Sequence, residues 1–238
     1  IQNESLPVTK NKNLFFSYRA DLIGQTGKLN QTFYTNAPGD LKQVTGSQTK
    51  NARAWAFDGE MSLALKNAPL KPAFALGYAV GSGDSDPGDN TDKTFYMNDL
   101  NSSRSAHFGA SRAFHNYGEA LRPDLSNLQV LRLAASFTPI NNADLTLVYY
   151  RYFLNEISSG LQSASIRIPE NGSSRDIGQA LDLTMNANLS EIFRIDHTYA
   201  QKLLFRSSIG VFKAGDAYAP AGNNEVIGRG LAEIMLKL

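Results

Sequence analysis

Arginines on the polar side of alternating segments have the clearest chemistry in this sequence. Arg19, Arg132 and Arg206 each alternate with apolar neighbours, so in a strand each would share a face with other polar residues. A guanidinium makes two parallel hydrogen bonds to a carboxylate and stays charged at any ordinary pH. Such arginines could contact an anion, or they could form a structural ion-pair network with acidic residues on the same faces. These acidic residues are Asp21, Asp58, Glu60 and Asp182.

A second group of residues, suited to bind a cation, lies in the acidic stretch DSDPGDNTD, residues 84–92. Closely spaced carboxylate oxygens are the ligands that Ca²⁺ prefers, although the twelve-residue spacing and terminal Glu of an EF-hand are absent. The stretch therefore has two interpretations, a calcium site or a solvated loop without a cofactor. The candidate ligands are Asp84, Asp86, Asp89 and Asp92.

The sequence gives little support for an enzyme. Its three histidines, at positions 107, 115 and 197, are scattered and form no metal-ligand spacing such as HExxH. No GxSxG, P-loop or GxGxxG motif positions a nucleophile or a phosphate. We therefore predict a protein without catalytic residues.

Composition excludes further classes. The chain has 238 residues, 23 Lys+Arg against 22 Asp+Glu, and no cysteine. The absence of cysteine excludes a disulfide scaffold, and the near-zero net charge argues against nucleic acid as a partner. No stretch approaches the roughly 18–20 apolar residues of a transmembrane helix, and the first residues lack a signal-peptide pattern. The mean hydropathy of −0.29 is typical of soluble proteins, but the alternating strands of a membrane barrel also average to a mild value.

Alternation with a period of two dominates the chain and predicts an all-β protein. Residues 144–154, DLTLVYYRYFL, are strand-like but apolar on both parities, so their two faces are not assigned. No window has a capped helical pattern. The clear alternating runs lie at residues 14–22, 55–65, 74–80, 131–137, 181–189, 203–211 and 231–238.

The connections between these runs come in two sizes. Short ones, such as residues 66–71 and 139–143, alternate with long polar ones, such as residues 81–104, 168–176 and 214–224. Outer-membrane barrels have this asymmetry, and strands of about 9–11 residues span a bilayer, whereas globular strands average about 5–6. The pattern favours a membrane barrel. The alternative is a soluble or surface-exposed β-protein that binds carbohydrate through its long loops.

Two segments carry specific motifs, YGEALRPDLSNL at residues 117–128 and GYAVGSGD at residues 77–84. With FYMNDLNSSR at 95–104, LVYYRY at 147–152 and FKAGDAY at 212–218, in this order and spacing, the sequence resembles the alginate export family of outer-membrane β-barrels. The resemblance covers about Trp55 to the C-terminus.

The resemblance implies an antiparallel transmembrane β-barrel of eighteen strands. The eight to ten strands counted in residues 1–238 would then form one barrel domain, the C-terminal portion of a longer chain. It also implies an outer-membrane channel that passes an alginate-like polyuronate or related anionic solute by passive diffusion. Expected partners are the lipid bilayer, lipopolysaccharide and periplasmic export proteins. A porin-like uptake channel for small organic molecules is the alternative.

In such a channel, lumen-facing arginines would bind successive carboxylates moderately and let the polymer move on. The predicted lumen set combines arginines placed by parity with those beside the family-like motifs. Tyr117, Glu119 and Arg122 are expected to order a loop at the mouth of the barrel. The predicted lumen arginines are Arg19, Arg104, Arg112, Arg132, Arg151 and Arg206.

Overall fold

The computed structural model contains twelve β-strands, one short α-helix and two 3₁₀ helices (Ile157–Ser159 and Asp216–Tyr218) in the part of the chain that it describes. This part comprises residues 6–7, 13–37, 41–97, 104–105, 114–161, 164, 170–195, 202–221 and 224–237. The strands are β1 (Leu6–Pro7), β2 (Leu14–Ala37), β3 (Leu41–Leu65), β4 (Ala73–Gly81), β5 (Thr91–Asp92), β6 (Arg104–Ser105), β7 (Phe114–His115), β8 (Leu128–Ile140), β9 (Ala143–Leu154), β10 (Asp176–Asn188), β11 (Lys202–Ala214) and β12 (Val226–Lys237), and the helix is α1 (Leu189–Phe193).

Ten strands form one sheet in the order β1-β2-β3-β4-β8-β9-β10-β11-β12, with β5 added to β3. Every pairing along this order is antiparallel, and only the short β5 runs parallel to its partner. The predicted all-β antiparallel fold is therefore confirmed, and the ten strands of this sheet lie within the predicted eight to ten, while β6 and β7 form a separate two-stranded sheet. The described pairings contain no ladder between β12 and the β1/β2 side of the sheet.

The predicted alternation of short and long connections is present in part. Residues 66–72 and 141–142 form short connections, whereas residues 82–127, 155–175 and 215–225 form long connections at the opposite ends of the strands. One exception is the connection between β10 and β11, residues 189–201, which is long although it lies at the same end as residues 141–142. Two antiparallel strands can be joined by a tight turn of a few residues, and in barrels the connections at the other end of the strands are longer and polar. We call these two ends of the sheet the short-turn end and the long-loop end.

The hairpin of β2 and β3 is longer than the alternation predicted. The two strands have 24 and 25 residues, but β4 pairs with β3 only at residues 56–64. The distal halves of β2 and β3 therefore pair mainly with each other, with β5 joining at Asn51 and Ala52. These distal segments are polar and lack apolar alternation. The backbone hydrogen bonds of the β2–β3 ladder hold them together without a buried side-chain face.

The two faces of the sheet have opposite character. On one face, which we call the open face, large apolar side chains are exposed, for example Leu76 (49%) and Leu133 (47%). On the other, the loop-covered face, the strands contact residues 82–97 and 115–127, and side chains such as Val130 and Tyr150 are buried. The main core thus lies between the sheet and its long-loop segments, and it leaves the open face outside.

No helix among the described residues is long and apolar enough to cross a membrane.

Candidate functional site on the loop-covered face

The pairing register brings charged residues from distant parts of the chain into one row of the loop-covered face. Arg19 pairs with Glu60, Glu60 with Gly77, and Gly77 with Arg132. Cross-strand neighbours on one face have Cβ atoms about 5 Å apart, so long side chains reach across several strands. Parity in the sequence predicted that Arg19 and Arg132 lie on the polar side of their strands, and the structure places both on the loop-covered face.

Asp58 lies on the same face as these arginines, two residues before Glu60 on β3, and is 8% exposed. It is the centre of a hydrogen-bonded group that we call the Asp58 cluster. It accepts hydrogen bonds from Nη2 of Arg132, from the Tyr117 hydroxyl at 3.0 Å, from Nδ2 of Asn116 at 3.0 Å and from Nη2 of Arg19 at 3.3 Å. Burial and the charge of Asp58 raise the pKa of Tyr117 above its ordinary value, so its hydroxyl stays protonated and remains a donor. The cluster comprises these five residues.

Arg132 is 1% exposed, which makes it one of the largest fully buried side chains among the described residues. Its guanidinium lies across β4 at Gly77, where an added Cβ would come within 2.7 Å of Nε. Nη1 donates to Oδ1 of Asn116 at 2.8 Å, and the guanidinium carbon lies 5.6 Å from the centre of the Tyr117 ring. A buried guanidinium is tolerated only with such partners, because desolvation of an unpaired charge costs several kcal/mol.

A second anchor joins the loop to the sheet through Asp182 on β10. Its Oδ2 accepts the backbone N–H of Glu119 at 2.7 Å. The Glu119 carboxylate accepts the N–H of His115 at 3.1 Å and Nη2 of Arg122 at 2.9 Å. Burial raises the pKa of Glu119, but these hydrogen bonds and the neighbouring positive charges outweigh it, so its pKa is lowered overall. Residues 115–122 are therefore fixed to β3 by the Asp58 cluster and to β10 by Asp182.

Asn127 of the YGEALRPDLSNL motif and Gly83 of the GYAVGSGD motif link the connection of residues 82–127 to that of residues 155–175. Asn127, fully buried, donates from Nδ2 to the carbonyl oxygens of Glu156 and Gly160, and its Oδ1 accepts the N–H of Glu156. A Cβ at Gly83 would lie 1.9 Å from that Oδ1, so only glycine allows this approach. Sequence reasoning expected this loop to be ordered by Tyr117, Glu119 and Arg122, but it missed the two asparagine amides, Asn116 and Asn127. The sequence feature that could have identified them is their position, since Asn127 lies within the YGEALRPDLSNL motif and Asn116 directly precedes it.

Arg151 does not lie where it was predicted. Its strand neighbours Tyr150 and Tyr152 are buried under the loops, and Arg151 therefore points to the open face, paired in register with exposed Leu131 and Gln179. The predicted set grouped Arg151 with Arg19 and Arg132, and the structure places it on the opposite face of the sheet from both. Alternation left the faces of residues 144–154 unassigned because both parities are apolar.

The remaining arginines of the predicted set are placed as follows. Arg206 lies on the loop-covered face near the short-turn end, and its Nη1 is 3.2 Å from the Glu233 carboxylate. Arg104 belongs to β6 and pairs in register with His115. Arg112 lies outside the described residues. Among the members of the predicted set whose side chains the structure describes, Arg19 and Arg132 are brought together through Asp58, whereas Arg151 and Arg206 lie apart from them.

The acidic stretch folds into a series of local turns. Asp84, Asp86, Asp89 and Asp92 each accept a hydrogen bond from the backbone N–H two residues later. Burial and the neighbouring Asp92 raise the pKa of Tyr96 to about 12, and its hydroxyl donates to Asp92 at 3.0 Å. In the part of the chain that is described, no group of three His, Cys, Asp or Glu residues is positioned to hold a metal ion. The turns account for these carboxylates, and the calcium site stays a prediction.

Comparison with known proteins identifies the family. A family model described as "Alginate export" matches residues 9–229, which extends beyond the motifs toward the N-terminus. An "Alginate production protein AlgE" of Pseudomonas aeruginosa is 32% identical over 78% of this chain and 38% of its own length. Its counterpart from Pseudomonas syringae pv. tomato is 26% identical over 92% of this chain and 45% of its own. The protein of the same name from Azotobacter vinelandii is 27% identical over 73% and 37%. The chain spans less than half the length of these relatives, and it belongs to the alginate export family.

Proposed function

We propose that this chain forms part of the wall of a β-barrel channel in the bacterial outer membrane, and that the channel passes an alginate-like polyuronate or a related anionic solute by passive diffusion. One observation carries the proposal. The same strands expose large apolar side chains on one face and hold an ionised, hydrogen-bonded cluster on the other.

The open face supports a membrane location. A register row of apolar residues crosses six strands without interruption, from Met61 through Leu76, Leu133, Tyr149 and Leu181 to Val211. Strands β8 to β12 have 12 or 13 residues, enough to cross a bilayer at the tilt of barrel strands. A soluble protein rarely leaves so large an apolar surface in water, whereas lipid covers it without cost. We call this surface the apolar belt.

The loop-covered face supports a hydrated interior. Beyond the Asp58 cluster, this face carries Thr146, Thr184 and Ser208 along one register row. On β10, Oδ1 of Asp182 and Oδ1 of Asn186 are buried and accept no hydrogen bond from the described residues. Acceptors of this kind are satisfied by water, as the polar interior of a barrel channel provides.

Arg19 supplies the accessible cation on this face. Arg19 and Arg132 share the carboxylate of Asp58. Two further carboxylates, Asp21 and Glu60, lie on the same face, so the guanidiniums are largely neutralised. Arg132 is enclosed, but the Arg19 side chain is 30% exposed and lies 3.7 Å from Asp21. The Arg206 charge is balanced by Glu233. We therefore assign the contact with passing carboxylates chiefly to Arg19, with Arg132 holding the structure that supports it.

The cargo assignment draws on the family. The relatives are named for alginate production, and alginate is a chain of uronates with one carboxylate on each sugar. An accessible arginine that is partly neutralised by nearby carboxylates binds such a group only moderately, which permits movement along the channel.

Ion selectivity in planar bilayers tests the proposal. We expect the reconstituted protein to show a reversal potential with anion preference under a salt gradient, and Arg19→Gln to reduce that preference. Arg53→Gln is the matched control, because Arg53 lies on the same hairpin but on the opposite, exposed face. Liposome swelling with oligouronates and with neutral sugars of similar size then tests the cargo.

Three outcomes would contradict parts of the proposal. Failure of the protein to float with vesicles would remove the membrane assignment. A cation preference in the unmodified protein would remove the cationic contact. Faster swelling with neutral sugars than with oligouronates would favour the uptake channel for small organic molecules.

A further inference from the structure

Arg151 belongs to a short polar row on the open face. Gln179 pairs in register with Arg151 on one side and with Lys213 on the other. Neighbouring strands lie about 4.8 Å apart, so the backbones of Arg151 and Lys213 are separated by about 10 Å. We call these three residues the basic rim.

The basic rim lies directly beside the apolar belt. The adjacent row of the same three strands is Tyr149, Leu181 and Val211, and it is offset by two residues, which is about 7 Å along a strand. The rim is on the side of the long loops, because β9 ends at Leu154 and β11 ends at Ala214. On the open face of the sheet, the row of apolar side chains is therefore followed, toward the long-loop end of the strands, by a row with two cationic side chains.

The rim carries net positive charge. Nη2 of Arg151 lies 2.8 Å from the Asp176 carboxylate, and its guanidinium carbon is 4.9 Å from the centre of the Phe153 ring. Lys213 is exposed, and no carboxylate among the described residues forms an ion pair with it. Asp176 thus balances one of the two cations. The other remains available to a ligand that approaches from outside.

We propose that the basic rim binds the anionic headgroup of a membrane lipid whose acyl chains lie on the apolar belt. The inference rests on the membrane part of the proposed function, not on its cargo. The long flexible stem of Lys213 follows apolar surface while its ammonium reaches the headgroup level. Arg151 offers further N–H donors to phosphate oxygens, held in orientation by Asp176 and Phe153. The channel cargo cannot reach this row, because it lies on the other face of the sheet from Arg132.

Charge complementarity and position select this occupant. A cation at the edge of hydrocarbon meets the headgroup region of one leaflet, where anionic lipids attract Lys and Arg near the surface. The longer connections of outer-membrane barrels are extracellular, which assigns the rim to the leaflet that carries lipopolysaccharide. A lipid that joins phosphate groups to acyl chains matches one cationic row beside an apolar row, and phosphatidylglycerol offers the same two features as a probe.

Unfolding in vesicles of defined composition tests the inference. The full chain is reconstituted in phosphatidylcholine with or without phosphatidylglycerol of the same acyl chains, and the urea midpoint of unfolding is measured in each. We expect phosphatidylglycerol to raise the midpoint of the unmodified protein, and the double variant Arg151→Gln, Lys213→Gln to lose most of that increment. The control double variant, Lys202→Gln, Arg229→Gln, should keep the increment. It removes the same charge from the loop-covered face, because Arg229 pairs in register with Gly210 opposite Asp182 and Lys202 lies on the same side of β11 as Arg206.

Each increment is taken against the same variant in phosphatidylcholine alone, so a general loss of stability does not imitate the effect. An undiminished increment in the rim variant, an equal loss in the control, or the same increment from inorganic phosphate without anionic lipid would each overturn the inference. In those cases the protein still inserts and the proposed function stands. If the unmodified protein does not insert into either vesicle, both proposals fall together.

Discussion

Arg132 and Arg151 lie on adjacent, paired strands and have opposite environments. Arg132 pairs in register with Tyr150, and Arg151 pairs with Leu131, so the two arginines are one register step apart. Arg132 is buried under the loops beside Asp58, whereas Arg151 lies on the open face beside Asp176. A shift of one residue along a strand reverses the side of the sheet. Residue type alone therefore does not assign an arginine to a channel.

The comparison also shows what each face requires. On the loop-covered face, every partner of Arg132 is fixed by tertiary contacts, because a buried charge is tolerated only when it is paired. On the open face, apolar residues need no partner in the protein if lipid surrounds them. Three substitutions, ordered from the largest expected effect to the smallest, test this difference.

Asp58→Asn should destabilise the protein most. It leaves Arg132 and Arg19 without their shared countercharge in a buried position, and loss of one partner of a buried pair costs about 3–5 kcal/mol. The free energy of unfolding in urea, measured in phospholipid vesicles, gives the value. Asp21→Asn is the control, because the Asp21 side chain is 44% exposed and its loss should cost about 1 kcal/mol or less. Equal losses in the two variants would show that Asp58 is not the centre of the cluster.

Leu133→Lys should follow. This substitution places a charge in the middle of the apolar belt, where lipid-facing Lys destabilises barrels by about 2–4 kcal/mol. The same unfolding measurement applies. Leu70→Lys, an equally exposed position in the short connection between β3 and β4, should change stability little. If Leu133→Lys is also silent, the open face does not contact hydrocarbon.

Gly77→Ala should have the smallest effect of the three. The new methyl group would lie 2.7 Å from Nε of Arg132, so the guanidinium must shift within its pocket. Overpacking of this kind costs about 1–3 kcal/mol. In Gly228→Ala, the matched control on β12, the new Cβ has no neighbour within 4 Å among the described residues. A loss confined to Gly77→Ala would confirm the path of Arg132 across β4, and equal losses would contradict it.

Much of the sheet could be predicted from the sequence. Alternation placed Tyr18 and Leu133 on one side and Arg19 and Arg132 on the other, and the structure agrees. The prediction succeeded because side chains of a strand point alternately to its two faces, so a clear pattern fixes both strand and face. Alternation made no assignment for Arg151, because residues 144–154 are apolar on both faces, and its place in the predicted set came from its motif alone.

The candidate site was less predictable. Asp58 was recognised as an acidic residue on the arginine side, but its role as the shared partner of two arginines and two loop residues was not. Asn116 and Tyr117 are separated from Asp58 by 58 and 59 positions in the chain. Contacts of this kind depend on how residues 82–127 fold back onto the sheet, and no local pattern encodes that direction.

The sequence by itself determined most of the strands and their faces, several of the short and long connections, and the family. These features are local or periodic, since they follow from side-chain alternation and turn chemistry. Only the tertiary structure decided which charges meet, which arginine is buried, and which one lies beside the apolar belt. Pairing register and loop packing bring distant residues together, and the cost of burying an unpaired charge then selects which partners can stay there.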